Sequence, residues 1–163
     1  PTPSLFDRFY SLLALKRFTE AVSTISAIEQ LRGQDFKIIE AYAAISDYAM
    51  KSNDYAIAAT YAKKALELQT KAKINTFSPK LNFDYSEASL KTDDLDEALD
   101  EAKFILNMKL EPEERLHALN LASEIYIRQK QYKLAKPYLN ECIGSNFTSA
   151  YKDACKAKLE MIK

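Results

Sequence analysis

One histidine, two cysteines and three carboxylate–cation pairs are the side chains whose types and spacing could do chemistry in this chain. His117 could act as a base or a metal ligand. However, no serine or cysteine stands beside it in a recognised nucleophile motif. One imidazole with scattered carboxylates makes no metal site unless folding gathers them. Cys142 and Cys155 match no zinc spacing and no Cys-x-x-Cys redox motif. They are either two small buried hydrophobes or a disulfide joining the last hairpin to the terminal helix, which would imply an oxidising compartment. With only Gly33 and Gly144, the chain has no glycine loop to cradle a phosphate. Carboxylates on exposed helix faces are solvated rather than tuned acids. The expectation is a protein without catalysis, cofactor or metal. Asn146 and Thr148 form a glycosylation sequon, which matters only in a secreted eukaryotic protein.

The elements that must position these residues are helices. Alanine, leucine, lysine and glutamate dominate, and only two glycines and five prolines occur in 163 residues, a helix-former's composition. Lysine plus arginine equals aspartate plus glutamate at 23 each, so charge gives no reason to seek nucleic acid or an anionic membrane. No apolar run approaches the roughly 20 residues of a membrane helix, and no signal peptide is visible. The chain opens at Pro1 without methionine, which implies a processed or excised start. Its compartment is read as cytoplasmic by default, and as periplasmic or secreted if the cysteines pair.

The punctuation predicts helices from about Pro3 to Leu15, then to about Leu31, with Gly33 in the left-handed region. Asp35 is expected to cap the next helix, through Ile38, Ile39, Tyr42, Ile45 and Ala49. Breaks follow at residues 52–54, 73–77, 92–94 and 129–131. Ser78 and Pro79 read as cap and first-turn proline, and Glu111 and Pro112 open another helix. Pro137 is placed within about the first turn of the helix Tyr132 to Ile143, where a missing N–H costs little. Gly144 stops that helix, and residues 148–162 read as a terminal cap.

A phrase recurs through this series. Phe18 and Ala21, Tyr55 and Ala58, Leu95 and Ala98, and Tyr132 and Ala135 each set a bulky residue three before an alanine. The alanines lie 37, 40 and 37 residues apart. Repetition at that period signals stacked helical hairpins, each burying its apolar face on its neighbours. Where two helices cross tightly, only a small side chain lets the backbones approach. The four alanines, with Ser46, Ser86 and Ser123, are expected at those crossings, and the bulky residues are expected to plug the gaps between units.

This pattern resembles the tetratricopeptide-repeat family, whose unit is a pair of antiparallel helices of roughly 34 residues. The second unit matches through Tyr42, Ile45, Ser46, Tyr55, Ala58, Ala62 and Ala65. The fourth matches through Leu119, Ala122, Ser123, Tyr126, Tyr132, Ala135 and Leu139, and the third through Tyr85, Ser86, Leu95, Ala98, Ala102 and Ile105. The first is degenerate, with Arg8 and Phe9 where a large-small pair belongs. The resemblance implies an all-α α-solenoid of about four hairpins with a C-terminal capping helix. The chain is read as one domain over residues 1–163, with units at about 2–33, 35–72, 78–110 and 112–144 and the cap at 148–162.

In this family the first helix of each pair lines a concave groove, and equivalent positions form columns. One holds Tyr10, Asp47, Glu87 and Glu124; four residues on stand Ala14, Lys51, Lys91 and Arg128. Leu13, Met50, Leu90 and Ile127 form an apolar column, and Phe6, Ala43, Phe83 and Asn120 another. The resemblance implies a scaffold or adaptor that binds a peptide or protein segment there. The candidate contacts are Asp47, Met50, Lys51, Phe83, Glu87, Lys91, His117, Asn120, Glu124 and Arg128. The plainer reading is that Asp47–Lys51, Glu87–Lys91 and Glu124–Arg128 are surface pairs, each stabilising its helix by roughly 0.2–0.5 kcal/mol. A chaperone-type carboxylate clamp is excluded, because its positions hold Phe6, Tyr10, Ala44, Lys80 and Asp84, of which only Lys80 fits. No nucleic-acid partner and no direct membrane insertion are expected. The alternative is a structural segment of a longer solenoid in a large assembly, such as a bacterial cell-envelope motor or secretion machine. Self-association would then run through the apolar first helix, with its Leu5, Phe6, Phe9, Leu12 and Leu13.

Overall fold

Four turns of one design organise the fold. The computed structural model describes residues 4–163, so the helix start expected at Pro3 and the opening of the first unit lie outside the described residues. Among the described residues all regular elements are helices: α1 (Leu5–Ala14), α2 (Phe18–Ile28), α3 (Asp35–Lys51), α4 (Tyr55–Lys71), α5 (Lys80–Lys91), α6 (Leu95–Leu106), α7 (Pro112–Arg128), α8 (Tyr132–Ile143) and α9 (Ala150–Ile162). In the turns that follow α1, α3, α5 and α7, one residue takes a left-handed backbone: Lys16 at φ 59°, Asn53 at 59°, Asp93 at 65° and Lys130 at 60°. The next amide then donates back five residues. Arg17 bonds the Leu12 carbonyl at 2.9 Å, and Asp54, Asp94 and Gln131 bond those of Ala49, Ser89 and Tyr126 at 2.8 Å. This bond satisfies an orphan carbonyl at the helix end. The bulky residue of the repeated phrase follows directly, as the first residue of α2, α4, α6 or α8.

Three residues further on, Ala21, Ala58, Ala98 and Ala135 are fully buried, as are Ser46, Ser86 and Ser123. Ser86 Oγ donates to the Ala98 carbonyl at 2.7 Å, so the small residues of α5 and α6 touch at their crossing. An added side chain has no room there. Ala58→Leu is expected to cost roughly 1–3 kcal/mol by overpacking, read as a lower midpoint of urea unfolding.

Several local expectations are corrected. Asp35 is the first residue of α3 rather than its cap, and Gln34 holds the cap position without a side-chain hydrogen bond. Ser78 and Pro79 precede α5, across a cis peptide, and the helix starts at Lys80. Pro137 is the sixth residue of α8, past the first turn, so it removes a helical hydrogen bond on an exposed face. The terminal helix begins at Ala150 and is capped by Ser149, whose hydroxyl accepts from the Lys152 amide. The bulky plugs are shallower than expected: Phe18, Tyr55 and Leu95 are half-buried, and Tyr132 is exposed. Gly33 does adopt the left-handed region, at φ 70°.

The chain divides into two compact units, one ending at Leu81 and the other running from Asn82 to Lys163. In the first unit α1 packs on α2, α3 packs on α4, and α1 meets α3. Its buried residues include Phe9, Leu12, Ile25, Ile28, Ile39 and Ile45, while Leu5, Phe6 and Leu13 are half-buried.

The second unit has two apolar clusters on either side of α7. Ala118, Leu121, Ala122 and Ile125 join Phe83, Leu90, Ala98, Ala102 and Ile105 in one. Leu116, Leu119 and Tyr126 join Ala135, Leu139, Cys142 and Cys155 in the other. A helix buried on two sides keeps only a narrow stripe for anything else. On α7 that stripe is His117, Asn120, Glu124 and Arg128, at i, i+3, i+7 and i+11.

Candidate functional site

Pro112 opens α7 at a position where its missing N–H is not needed. Glu111 and Glu114 close a capping box around that end. The helix therefore starts rigidly one turn before His117, the first residue of the stripe. The imidazole is half-buried and lies between two rings. Phe83 of α5 stacks on one face at a centroid distance of 4.0 Å, and Tyr151 of α9 stacks on the other at 4.4 Å. Both interplanar angles are 6°. The ring edge is fixed as well: Nε2 lies 2.7 Å from Glu87 Oε1, so with an ionised carboxylate the Nε2–H donates to it. Side chains of α5 and α9 thus hold one side chain of α7 in position and in plane.

One turn along α7, Asn120 Oδ1 accepts from Lys158 Nζ of α9 at 2.8 Å. The Cys155 sulfur lies 3.8 Å from the same oxygen. Burial raises the Tyr151 phenol, and the Glu87 and Glu113 carboxylates add to this, so it is neutral over the ordinary pH range. Next on the stripe, Glu124 is half-buried. The expected Glu124–Arg128 pair does not form. Arg128 reaches instead to Asp93 of the left-handed turn, at 2.9 Å, and Glu124 has no ion-pair partner among the described residues. Lys91 stands exposed at the end of α5.

The first unit holds the other three candidates, Asp47, Met50 and Lys51, all on α3. The Asp47–Lys51 pair forms at 3.0 Å, and Lys80 also reaches Asp47, at 3.1 Å. Burial alone would raise the Asp47 carboxyl. The two ammonium groups outweigh it and hold the group below its ordinary value. Met50 is half-buried beside this pair in sequence, and Lys51 is exposed.

Phe83, Glu87, His117 and Asn120 are therefore gathered into one constellation, with Glu124 and Arg128 continuing its stripe. The contributions of Tyr151 and Lys158 lie outside the sequence expectation, in which the last helix is only a cap. Their signal is the i, i+4, i+7 spacing of Tyr151, Cys155 and Lys158 on one helical face. The two sulfurs of Cys142 and Cys155 are bonded, with a Cα separation of 6.4 Å that suits a bridge. Of the two readings of these cysteines, the structure takes the disulfide, and both residues are fully buried. No group of three or more histidine, cysteine, aspartate or glutamate side chains among the described residues could hold a metal ion. No described helix is long and apolar enough to cross a membrane.

Residues 39–71 and 116–148 match the family model of the tetratricopeptide repeat. Among the solved structures that resemble the chain are two of nearly identical TPR-like repeats from a putative kinesin light chain of Podospora anserina, one of them a single-residue variant of the other. The variant superposes with a TM-score of 0.68 at 14% identity over 97% of this chain and 82% of that one. The other superposes at 0.67 and 14% over 97% and 83%. No curated protein sequence matches the chain. The likeness establishes an all-α helical-repeat fold. Repeats of this kind serve in general as scaffolds for protein–protein interaction, and the fold is typically non-catalytic.

Proposed function

Starting from a chain that carries tetratricopeptide repeats at residues 39–71 and 116–148, we propose that the α7 stripe of the second unit receives a segment of a partner protein. The observation that carries this reading is Glu124. Its half-buried side chain has no ion-pair partner among the described residues, which leaves the carboxylate open to a partner's cation or N–H group. It continues a row whose other members are held in place by neighbouring helices. His117 is clamped by Phe83, Tyr151 and Glu87, and Asn120 by Lys158. A preordered row loses little conformational entropy on binding, which favours affinity. The chain then acts as an adaptor with a fixed recognition strip. The Cys142–Cys155 bond supports work in an oxidising compartment.

The test is affinity capture on the immobilised protein, with identification of what is retained, followed by titration of the recovered partner. Glu124→Arg is expected to weaken that binding by about tenfold or more, the scale of a central interface contact, without loss of helical circular dichroism. Lys133→Glu, on the exposed face of α8, is the matched control and should bind as the parent does. Equal binding by the Glu124→Arg protein would remove the stripe from consideration.

A further inference from the structure

The second unit contains a covalent bond whose placement relates to the recognition stripe and not only to the core. Cys142 lies in the last turn of α8, and Cys155 lies near the middle of α9. On α9, Cys155 has Tyr151 four residues before it and Lys158 three residues after it. These are the two residues that α9 contributes to the stripe, one on His117 and one on Asn120. We infer that the Cys142–Cys155 disulfide is a positioning element of the binding face: it sets the rotation of α9 about its own axis, and so seats Tyr151 and Lys158. This rests on the stripe being the recognition face.

The geometry gives the reason. A residue turns an α-helix by about 100°, so a slip of one position would carry Tyr151 off His117 and Lys158 off Asn120. The apolar contacts of α9 resist such a slip only weakly. Tyr151, Leu159 and Ile162 pack against the α7–α8 cluster, yet all three are only partly buried, and Cys155 is the one fully buried residue of the helix. Apolar packing is non-directional, so a stripe of partly buried side chains turns the apolar face of α9 inward but sets its azimuth only loosely. A bond at the midpoint, one turn from each contributed side chain, does choose it. The link back to α8 runs through residues 144–149, and Asn146, Phe147 and Thr148 there are exposed. A connection of that kind restrains the rotation of α9 far less than a bond at the helix midpoint does.

The experiment reads His117 directly and needs no partner, so its outcome is separate from whether the stripe binds anything. The ring-proton shifts of His117 are recorded by NMR in the parent, in Tyr151→Leu as the unstacked reference, and in the Cys142→Ala/Cys155→Ala double variant. They are recorded again in the parent after reduction with a water-soluble phosphine. There the two sulfurs gain two electrons and two protons while the phosphine takes oxygen from water and becomes its oxide. The expected result is that the double variant and the reduced parent keep their helical circular dichroism while the His117 signals move most of the way to the Tyr151→Leu positions. Signals that stay at the parent positions, with two free thiols confirmed by mass after alkylation, would overturn the inference. So would loss of helix content in both samples, because the bond would then hold the fold rather than the orientation of one helix. Two alkylatable thiols in the untreated protein would overturn it as well.

Discussion

Phe9→Ala is expected to destabilise the first unit by about 3–5 kcal/mol, the range for deleting a buried phenylalanine ring. Phe9 is fully buried and meets Tyr10 edge-on at 4.9 Å. Its position in the first hairpin corresponds to Ser46, Ser86 and Ser123 in the others, all equally buried. Three units therefore place a hydroxymethyl group where the first places a benzyl group. The repeat pattern reads this as a defect, and the structure shows the ring fully enclosed. Phe9→Ser, which restores the residue the other units use, should destabilise about as much as alanine, because it removes the same fully enclosed ring. Phe9→Leu keeps most of the volume and should cost less than about 1.5 kcal/mol. Urea unfolding followed by circular dichroism gives all three values. A serine variant as stable as the parent would mean that the first hairpin packs like the rest.

Leu139→Ala should lower the stability of the second unit by about 2–5 kcal/mol, depending on how far the site collapses. Leu139 is fully buried on α8, in the cluster that also contains Leu116, Leu119, Tyr126 and the disulfide. Leu134 lies on the same helix and is 49% exposed. Leu134→Ala removes the same atoms from a site already half in water and should fall within about 0.5 kcal/mol of the parent. The pair separates burial from helix propensity, since both substitutions place alanine in one helix. Equal effects in thermal unfolding would mean that α8 is held by its backbone and turns rather than by its apolar face.

The parts of the fold legible in the sequence are those where sterics leave no choice. Close approach of two helices demands small side chains, so alanines at 21, 58, 98 and 135 and serines at 46, 86 and 123 indicate the crossings, and all are buried. The left-handed turn residues are not recognisable as such. Asn53 and Asp93 are residue types that tolerate that conformation, but Lys16 and Lys130 are not enriched there. The demand comes from the angle between two helices, which no local preference encodes. Of the candidate site, Glu87, His117 and Asn120 can be identified by their place on one face. Tyr151 and Lys158 share a helical face with Cys155, but that spacing does not say what the face meets until its packing against α7 is seen. Spacing alone assigns Arg128 to Glu124, yet the i, i+4 rule ranks neighbours on one helix and is blind to Asp93 in the turn between α5 and α6.

The repeated turn also has a consequence for how such a chain can change length. Within each hairpin, left-handed residue, bulky residue and alanine follow in strict count, so an inserted residue would throw the second helix out of phase with its small contacts. Between hairpins no such count exists: residues 29–34, 72–79 and 107–111 differ in number and in backbone form. Lineages bearing this fold should accordingly gather their insertions and deletions at the joints between hairpins and spare the bends inside them.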